Sequence, residues 1–198
     1  MAVIIGVISV FSGCNGTEIS NGNSKYEKNT KKVGVLLTEG FHDREAYMPI
    51  GYLTNRGLKV CVIGPEIGEV NAYNSDFNIK IQKSINDISI DYFDAIILPG
   101  GKAPATLREN EQIIKFVKDF YETGKPIAGI CHGPQVFISA GIMKGKTCTA
   151  YKNVQTELED AGAKYIDEPL VIDGNIITSR VPEDLHDFSK AIYKALKK

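Results

Sequence analysis

The chain has no tryptophan, only three methionines and three histidines, and no Cys-x-x-Cys pair among its four cysteines. Each scarcity excludes something. Cys14, Cys61, Cys131 and Cys148 are scattered too widely for a zinc framework or a disulfide-dense scaffold, and read as mostly unpaired thiols. His42, His132 and His186 stand far apart without paired cysteines, so no metal is expected. Nor is there an excess of either charge. Lys and Arg number 23 against 24 Asp and Glu, a formal net charge of -1, which gives no basic field for nucleic acid. The longest apolar run, Ala2 to Phe11, is too short to span a bilayer, which takes about 20 residues. What remains is ordinary globular composition: 198 residues, 43% hydrophobic and 24% charged. That length suits one domain able to bury about two thirds of its unfolded surface.

The first residues read as something other than fold. Met1 to Phe11 is apolar, Ser12-Gly13-Cys14 follows, and Asn15 to about Lys32 is polar. An apolar segment, a small-residue site and a polar tether have the pattern of a secretory signal. With a cysteine at the junction it resembles a lipoprotein signal, in which Cys14 would be lipidated. Residues 1–31 are therefore expected to be a signal segment and linker, and 32–198 the domain. That implies a lipid anchor on the outer side of the cytoplasmic membrane if the signal is used, and a cytoplasmic protein otherwise.

From Lys32 onward, strand and helix signals alternate. Short apolar runs at 32–37, 58–63, 94–98 and 126–130 read as buried strands. Segments 43–55, 111–122, 133–142 and 184–196 read as helices, the second with Ile113, Phe116, Val117 and Phe120 on one face and Gly124 at its end. Residues 68–90 break the rhythm as a small antiparallel excursion. Lys146–Ala150 and Ala163–Tyr165 read as further strands, and 170–179 as a hairpin about Asp173-Gly174. The expected fold is α/β: a flavodoxin-like, doubly wound, mainly parallel sheet with helices on both faces. Ligands in such folds sit at the carboxyl ends of the strands, so the residues after Leu37, Leu98 and Ile130 bear on function.

Those three strand ends hold the reactive residues. After the fourth strand comes Gly129-Ile130-Cys131-His132-Gly133-Pro134, a cysteine between strand and helix with glycines on either side. This is the pattern of a nucleophile elbow. The helix start behind it is expected to favour a thiolate, which puts Cys131 forward as nucleophile. After the first strand, Glu39, His42, Asp43 and Glu45 crowd one loop and helix start. Asp43 is explained by helix capping, whereas Glu45 lies deep enough to face the strand ends. After the third strand, Gly100-Gly101 offers backbone N–H groups suited to an oxyanion hole. Cys61 reads as core packing, and Cys148 as a strand residue near the surface.

The stretches LPGGKAP, GKPIAGICHGPQVFISAG and TSRVPEDL resemble PfpI-type intracellular proteases of the ThiJ/PfpI superfamily, and the resemblance spans about residues 32–198. It implies a class I glutamine-amidotransferase-like fold with Cys131 as nucleophile and Glu45 beside the thiol as a protonated donor. It further implies His132 as base, Gly100 and Gly101 as oxyanion hole, Tyr151 and Arg180 near the pocket, no cofactor, and a homo-oligomer. Two positions depart from it. The acidic residue that protease-type members supply from a neighbouring subunit is Ala105 here, and a second acidic position in the first loop is His42. Without an orienting acid His132 is a poorer base, which weakens a peptidase. The leading expectation is a cysteine-dependent enzyme acting on reactive carbonyls or their adducts, like a glyoxalase or deglycase. The alternatives are a cysteine peptidase, with a peptide in place of the small-molecule substrate, and a non-enzymatic redox-sensing or chaperone-like stress protein.

Overall fold

The computed structural model describes residues 30–197. The signal-like segment and Cys14 lie outside the described residues. In chain order the elements are β1 (Lys32–Leu36), α1 (Asp43–Thr54), β2 (Lys59–Gly64), β3 (Gly68–Asn71), β4 (Asn78–Ile81), β5 (Lys83–Ser84), β6 (Ala95–Leu98), α2 (Ala103–Leu107) and α3 (Glu111–Glu122). There follow β7 (Ile127–Ile130), α4 (Pro134–Ser139), β8 (Thr147–Cys148), α5 (Gln155–Asp160), β9 (Lys164–Tyr165), β10 (Leu170–Asp173), β11 (Ile176–Ser179) and α6 (Leu185–Ala195). Among the described residues no helix is long and apolar enough to cross a membrane.

Seven strands form one sheet in the order β10-β11-β7-β6-β1-β2-β5. All neighbours run parallel except the β10–β11 hairpin. Successive residues of β1 feed opposite faces: Val33 and Val35 pack beneath α1 and α6, while Leu36 packs against the layer holding α3 and α4. Both faces are covered, which is why the inner strands read as unbroken apolar runs. Helix α3 sits where the sequence places it. The Asn110 side chain accepts from the Gln112 and Ile113 N–H groups, and Gly124 ends the helix at φ +74°.

The chain leaves β1 toward β2 on one side and returns to β6 on the other. The order therefore reverses between β1 and β6, which opens a crevice at their carboxyl ends. The expected excursion is the antiparallel β3–β4 hairpin, with Asn71 opposite Asn78. Its base is tied to the crevice, because the Gly40 N–H donates to Asn71 O and the Tyr73 N–H to Phe41 O.

Two details differ from the sequence reading. The helix expected over 133–142 is only six residues, since Gly141 turns the chain at φ +72°. Cys148 is not near the surface. It is fully buried, because β8 pairs with β9 and packs on the α3–α4 face.

Candidate active site

Three strand ends converge at the crevice. Cys131 follows β7 with φ 59°, the only positive φ at a non-glycine among the described residues. That backbone costs about 1–3 kcal/mol for a side-chain-bearing residue, and the surroundings hold it there. The Cys131 N–H donates to Ser179 O at 3.1 Å, and Cys131 O accepts the Tyr151 N–H at 3.0 Å. Gly133 is required by the turn, since a Cβ there would lie 2.2 Å from Leu98 O. Gly129 is required by packing, since a Cβ would meet the Phe137 ring at 2.8 Å. Here the elbow expected from the sequence is built in full.

The thiol is held from several sides. Backbone N–H groups of Gly101 and His132 donate toward Sγ. The His132 ring approaches with Nδ1 3.2 Å from Sγ and lies against Tyr151, centroids 5.2 Å apart. Glu45, fully buried on the first turn of α1, hydrogen-bonds with Cys131, and its Oε2 accepts the Gly100 N–H at 2.8 Å. Gly100 permits this approach: a Cβ there would stand 2.7 Å from Cys131 Cβ and 2.8 Å from Glu45 Oε2.

Two expectations are corrected by this geometry. Gly100 does not offer a free N–H for an oxyanion, because Glu45 takes it; the N–H pair directed at the site belongs to Gly101 and His132. Nor is the thiol acidic on its own. Burial, then the Glu45 charge, push Cys131 up to about 12, against the two N–H donors that favour a thiolate. Burial likewise pushes Glu45 up to about 7. With its carboxyl raised toward neutrality and against the thiol, Glu45 is the group placed to exchange a proton with Cys131. Burial also lowers the His132 pKa, and among the described residues no carboxylate pairs with its ring.

Tyr151 is more than a third exposed and lies against the His132 ring. Arg180 follows Ser179, but its guanidinium is engaged: Nε and Nη2 donate to the Asp184 carboxylate at 3.0 and 3.3 Å, and Nη1 to Asp167 at 2.7 Å. It fastens the strand end that holds the Cys131 N–H rather than presenting a free cation. Asp43 is not the helix cap that the sequence suggests: His42 holds the N-cap position, and the Asp43 carboxylate instead accepts from Asn74 of the hairpin. Burial disfavours its charge, but hydrogen bonds from Asn74, Ser75 and the Arg44 N–H outweigh this and hold its carboxyl below the usual range.

Sequence reasoning missed the hairpin's contribution. Tyr73 stands edge-on to His42, centroids 5.7 Å apart, and feels the charges of Cys131 and Glu45. Asn74 ties the hairpin to α1 through Asp43, Nδ2 to Oδ1 at 2.8 Å. The polar run Asn74-Ser75-Asp76 signals a turn, but no local signal says that this turn docks on the site.

Comparison with known proteins agrees with this geometry. The model of the DJ-1/PfpI family matches residues 31–195. A deglycase of Thermococcus kodakarensis is 36% identical, covering 84% of this chain and 99% of its own. Protein/nucleic acid deglycase 2 of Escherichia coli is also 36% identical, over 84% and 98%. Among solved structures, a two-domain protein from Anabaena variabilis with DJ-1/ThiJ/PfpI-like and ferritin-like domains superposes with a TM-score of 0.83 at 36% identity, covering 85% of this chain and 48% of that one. With the elbow, the strand order and the aligned length in agreement, the chain belongs to the DJ-1/PfpI family.

Proposed function

We propose that this protein is a cysteine-dependent enzyme acting on reactive carbonyls, 2-oxoaldehydes such as methylglyoxal and their adducts on amines and thiols, in the manner of a glyoxalase or deglycase. The observation that carries this reading is the fully buried Glu45 carboxyl placed against the Cys131 thiol at the strand ends. The deglycase names of two relatives support it.

The chemistry follows from that pairing. The Cys131 sulfur attacks the aldehyde carbon, forming a C–S bond, and Glu45 delivers the proton to the carbonyl oxygen. The product is a hemithioacetal. Glu45, now a carboxylate, takes the hydrogen from that carbon as a proton, and the C–H electron pair forms a carbon–carbon double bond while the neighbouring carbonyl oxygen takes up the negative charge. Glu45 returns that proton to the neighbouring carbon, and the hydroxyl proton of the first oxygen passes to the second, so the second carbonyl becomes an alcohol and the first a thioester. Water cleaves the thioester, releasing a 2-hydroxy acid and the thiol. The substrate is oxidised at one carbon and reduced at the next, so no external redox partner is needed. The Gly101 and His132 N–H groups hold the sulfur's charge before attack.

Peptide hydrolysis asks more of the site. An amine leaves only when protonated, and His132 is the ring in reach, neutral by burial and without an orienting acid among the described residues. The test is loss of methylglyoxal with appearance of lactate. We expect Cys131→Ala to fall to background and Glu45→Gln to lose about 10²-fold or more. Turnover that survives Cys131→Ala would overturn the reading.

A further inference from the structure

Resting on the carbonyl chemistry above, a second proton-carrying group stands behind Glu45. Glu45 Oε2 is occupied by the Gly100 N–H, but Oε1, equally buried, has no hydrogen-bond partner. A buried carboxyl oxygen left without a partner is costly and needs an explanation. The nearest ring nitrogen is His42 Nε2, at 4.0 Å. His42 caps α1 from an extended conformation, and its side chain is only 13% exposed. Its other nitrogen, Nδ1, likewise buried without a completed hydrogen bond, lies 3.2 Å from Asp43 Oδ1, the oxygen that accepts from Asn74 Nδ2. A carboxylate facing Nδ1 favours the tautomer with its proton there, which leaves the Nε2 lone pair directed toward Glu45 Oε1. Neither partner is then bonded, consistent with the 4.0 Å gap.

We propose that His42 is a positioning residue that serves Glu45 as a second proton station, with one proton passing between Glu45 Oε1 and His42 Nε2 while Asp43 fixes the ring's tautomer. The O–H bond at Glu45 breaks as the N–H bond at His42 forms, with no change in the pair's total charge. When the proton is on Glu45, the carboxyl can give it to the carbonyl oxygen. When it is on His42, the imidazolium faces a carboxylate ready to take the hydrogen from carbon. Glu45 must play both parts in each turnover, and the station lets it change without exchanging with solvent.

The groups facing His42 are few. On α1 they are Asp43, Arg44 and Glu45; from the turn before α6, Glu183; from the hairpin, Tyr73. Arg44 Nη1 lies 3.8 Å from Glu183, so these two charges largely offset each other at the ring. Burial holds the His42 pKa below its ordinary value, which keeps the ring unprotonated until Glu45 ionises beside it.

With only three histidines in the chain, ring nitrogens labelled with nitrogen-15 can be followed individually by NMR. In the full-length protein, Glu45→Gln should lower the His42 midpoint by about one pH unit, since an opposite charge at this range is worth roughly that much. Exposed His186, away from the site, supplies the reference signal. His42→Gln, which keeps a polar side chain but cannot carry the proton, should lower kcat for methylglyoxal about tenfold with little change in KM. An unmoved His42 midpoint in Glu45→Gln overturns the station, as does an unchanged kcat in His42→Gln. If the wild type does not consume methylglyoxal at all, the carbonyl reading fails, and the titration alone still decides whether His42 and Glu45 are coupled. The titration likewise decides if His42→Gln does not fold.

Discussion

At Cys131, conformation and chemistry pull against stability. Its φ of 59° is comfortable for glycine and strained for any residue with a Cβ. Cys131→Ala keeps the strain and Cys131→Gly relieves it, so both lose turnover but the glycine variant should be the more stable by about 1 kcal/mol. Urea unfolding of the two variants measures the difference. Glu45 makes a second demand, visible as pH dependence. Burial pushes its carboxyl up to about 7 in the folded chain, above the ordinary glutamate value of about 4.3 in the unfolded one. Between those values the folded state binds more protons, so stability is highest on the acid side and falls as pH rises toward 7. The loss attributable to Glu45 is about 4 kcal/mol at most, and Glu45→Gln should remove that part of the slope. The same substitution removes the charge that opposes a thiolate, so the alkylation profile of Cys131 should shift to lower pH. Iodoacetamide labelling against pH reads this, with buried Cys148 labelling more slowly throughout. Superimposable wild-type and Glu45→Gln profiles would mean that carboxyl and thiol do not interact.

At the scale of elements, the site is an arrangement of strand ends, and glycines decide whether those ends can meet. Gly133 makes the point most sharply, because its Cβ would be driven to 2.2 Å from a backbone oxygen that cannot swing away. Gly133→Ala should cost about 3 kcal/mol or more and move the thiol. Gly51, inside α1 with nothing within 4 Å of an added Cβ, is the control. Gly51→Ala should stabilise by about 0.5–1 kcal/mol through helix propensity alone. Thermal melts of both variants test the contrast. These elements were legible to different degrees, for physical reasons. The runs that became β1, β2, β6 and β7 stood out because both faces of the sheet are covered. The elbow stood out because its glycines flank a cysteine just after such a run. The hairpin's role at the site did not, since Tyr73 and Asn74 reach His42 and Asp43 across about 31 positions of sequence. The capture of the Gly100 N–H by Glu45 was hidden likewise: it spans 55 positions and depends on the pitch of α1 over the sheet. The sequence also suggested an acidic thiol at a helix start. Burial and a neighbouring carboxyl reversed that sign, and neither is a local property.

At the scale of the whole molecule, the open question is which chemistry the elbow serves, and Ala105 bears on it. Ala105 lies exposed on α2, the short helix that leaves the Gly100-Gly101 turn. In the protease-type proteins that this chain resembles, an acid at this position reaches across a subunit boundary to the histidine after the nucleophile. Such an acid holds the ring and stabilises it once protonated; a methyl group does neither. In a serine-protease triad, disabling that acid costs about 10⁴ in turnover. The loss should be smaller for a thiol, which is more nucleophilic and partly ionised near neutral pH. Addition to an aldehyde should suffer least, because no amine has to depart and, in the proposed chemistry, Glu45 rather than His132 supplies the proton. Wild-type protein should therefore consume methylglyoxal while leaving fluorogenic peptides nearly untouched. Ala105→Glu should raise peptide cleavage, provided that the chain assembles so that α2 of one copy faces the elbow of another. Light scattering of the same preparations reports the assembly, and the two rates are compared for wild type, Cys131→Ala and Ala105→Glu. Strong, Cys131-dependent peptide cleavage by the wild type would put the peptidase first. An assembled Ala105→Glu protein with both rates unchanged would show that α2 does not reach a neighbouring elbow, leaving Glu45 as the acid on which this site's chemistry turns.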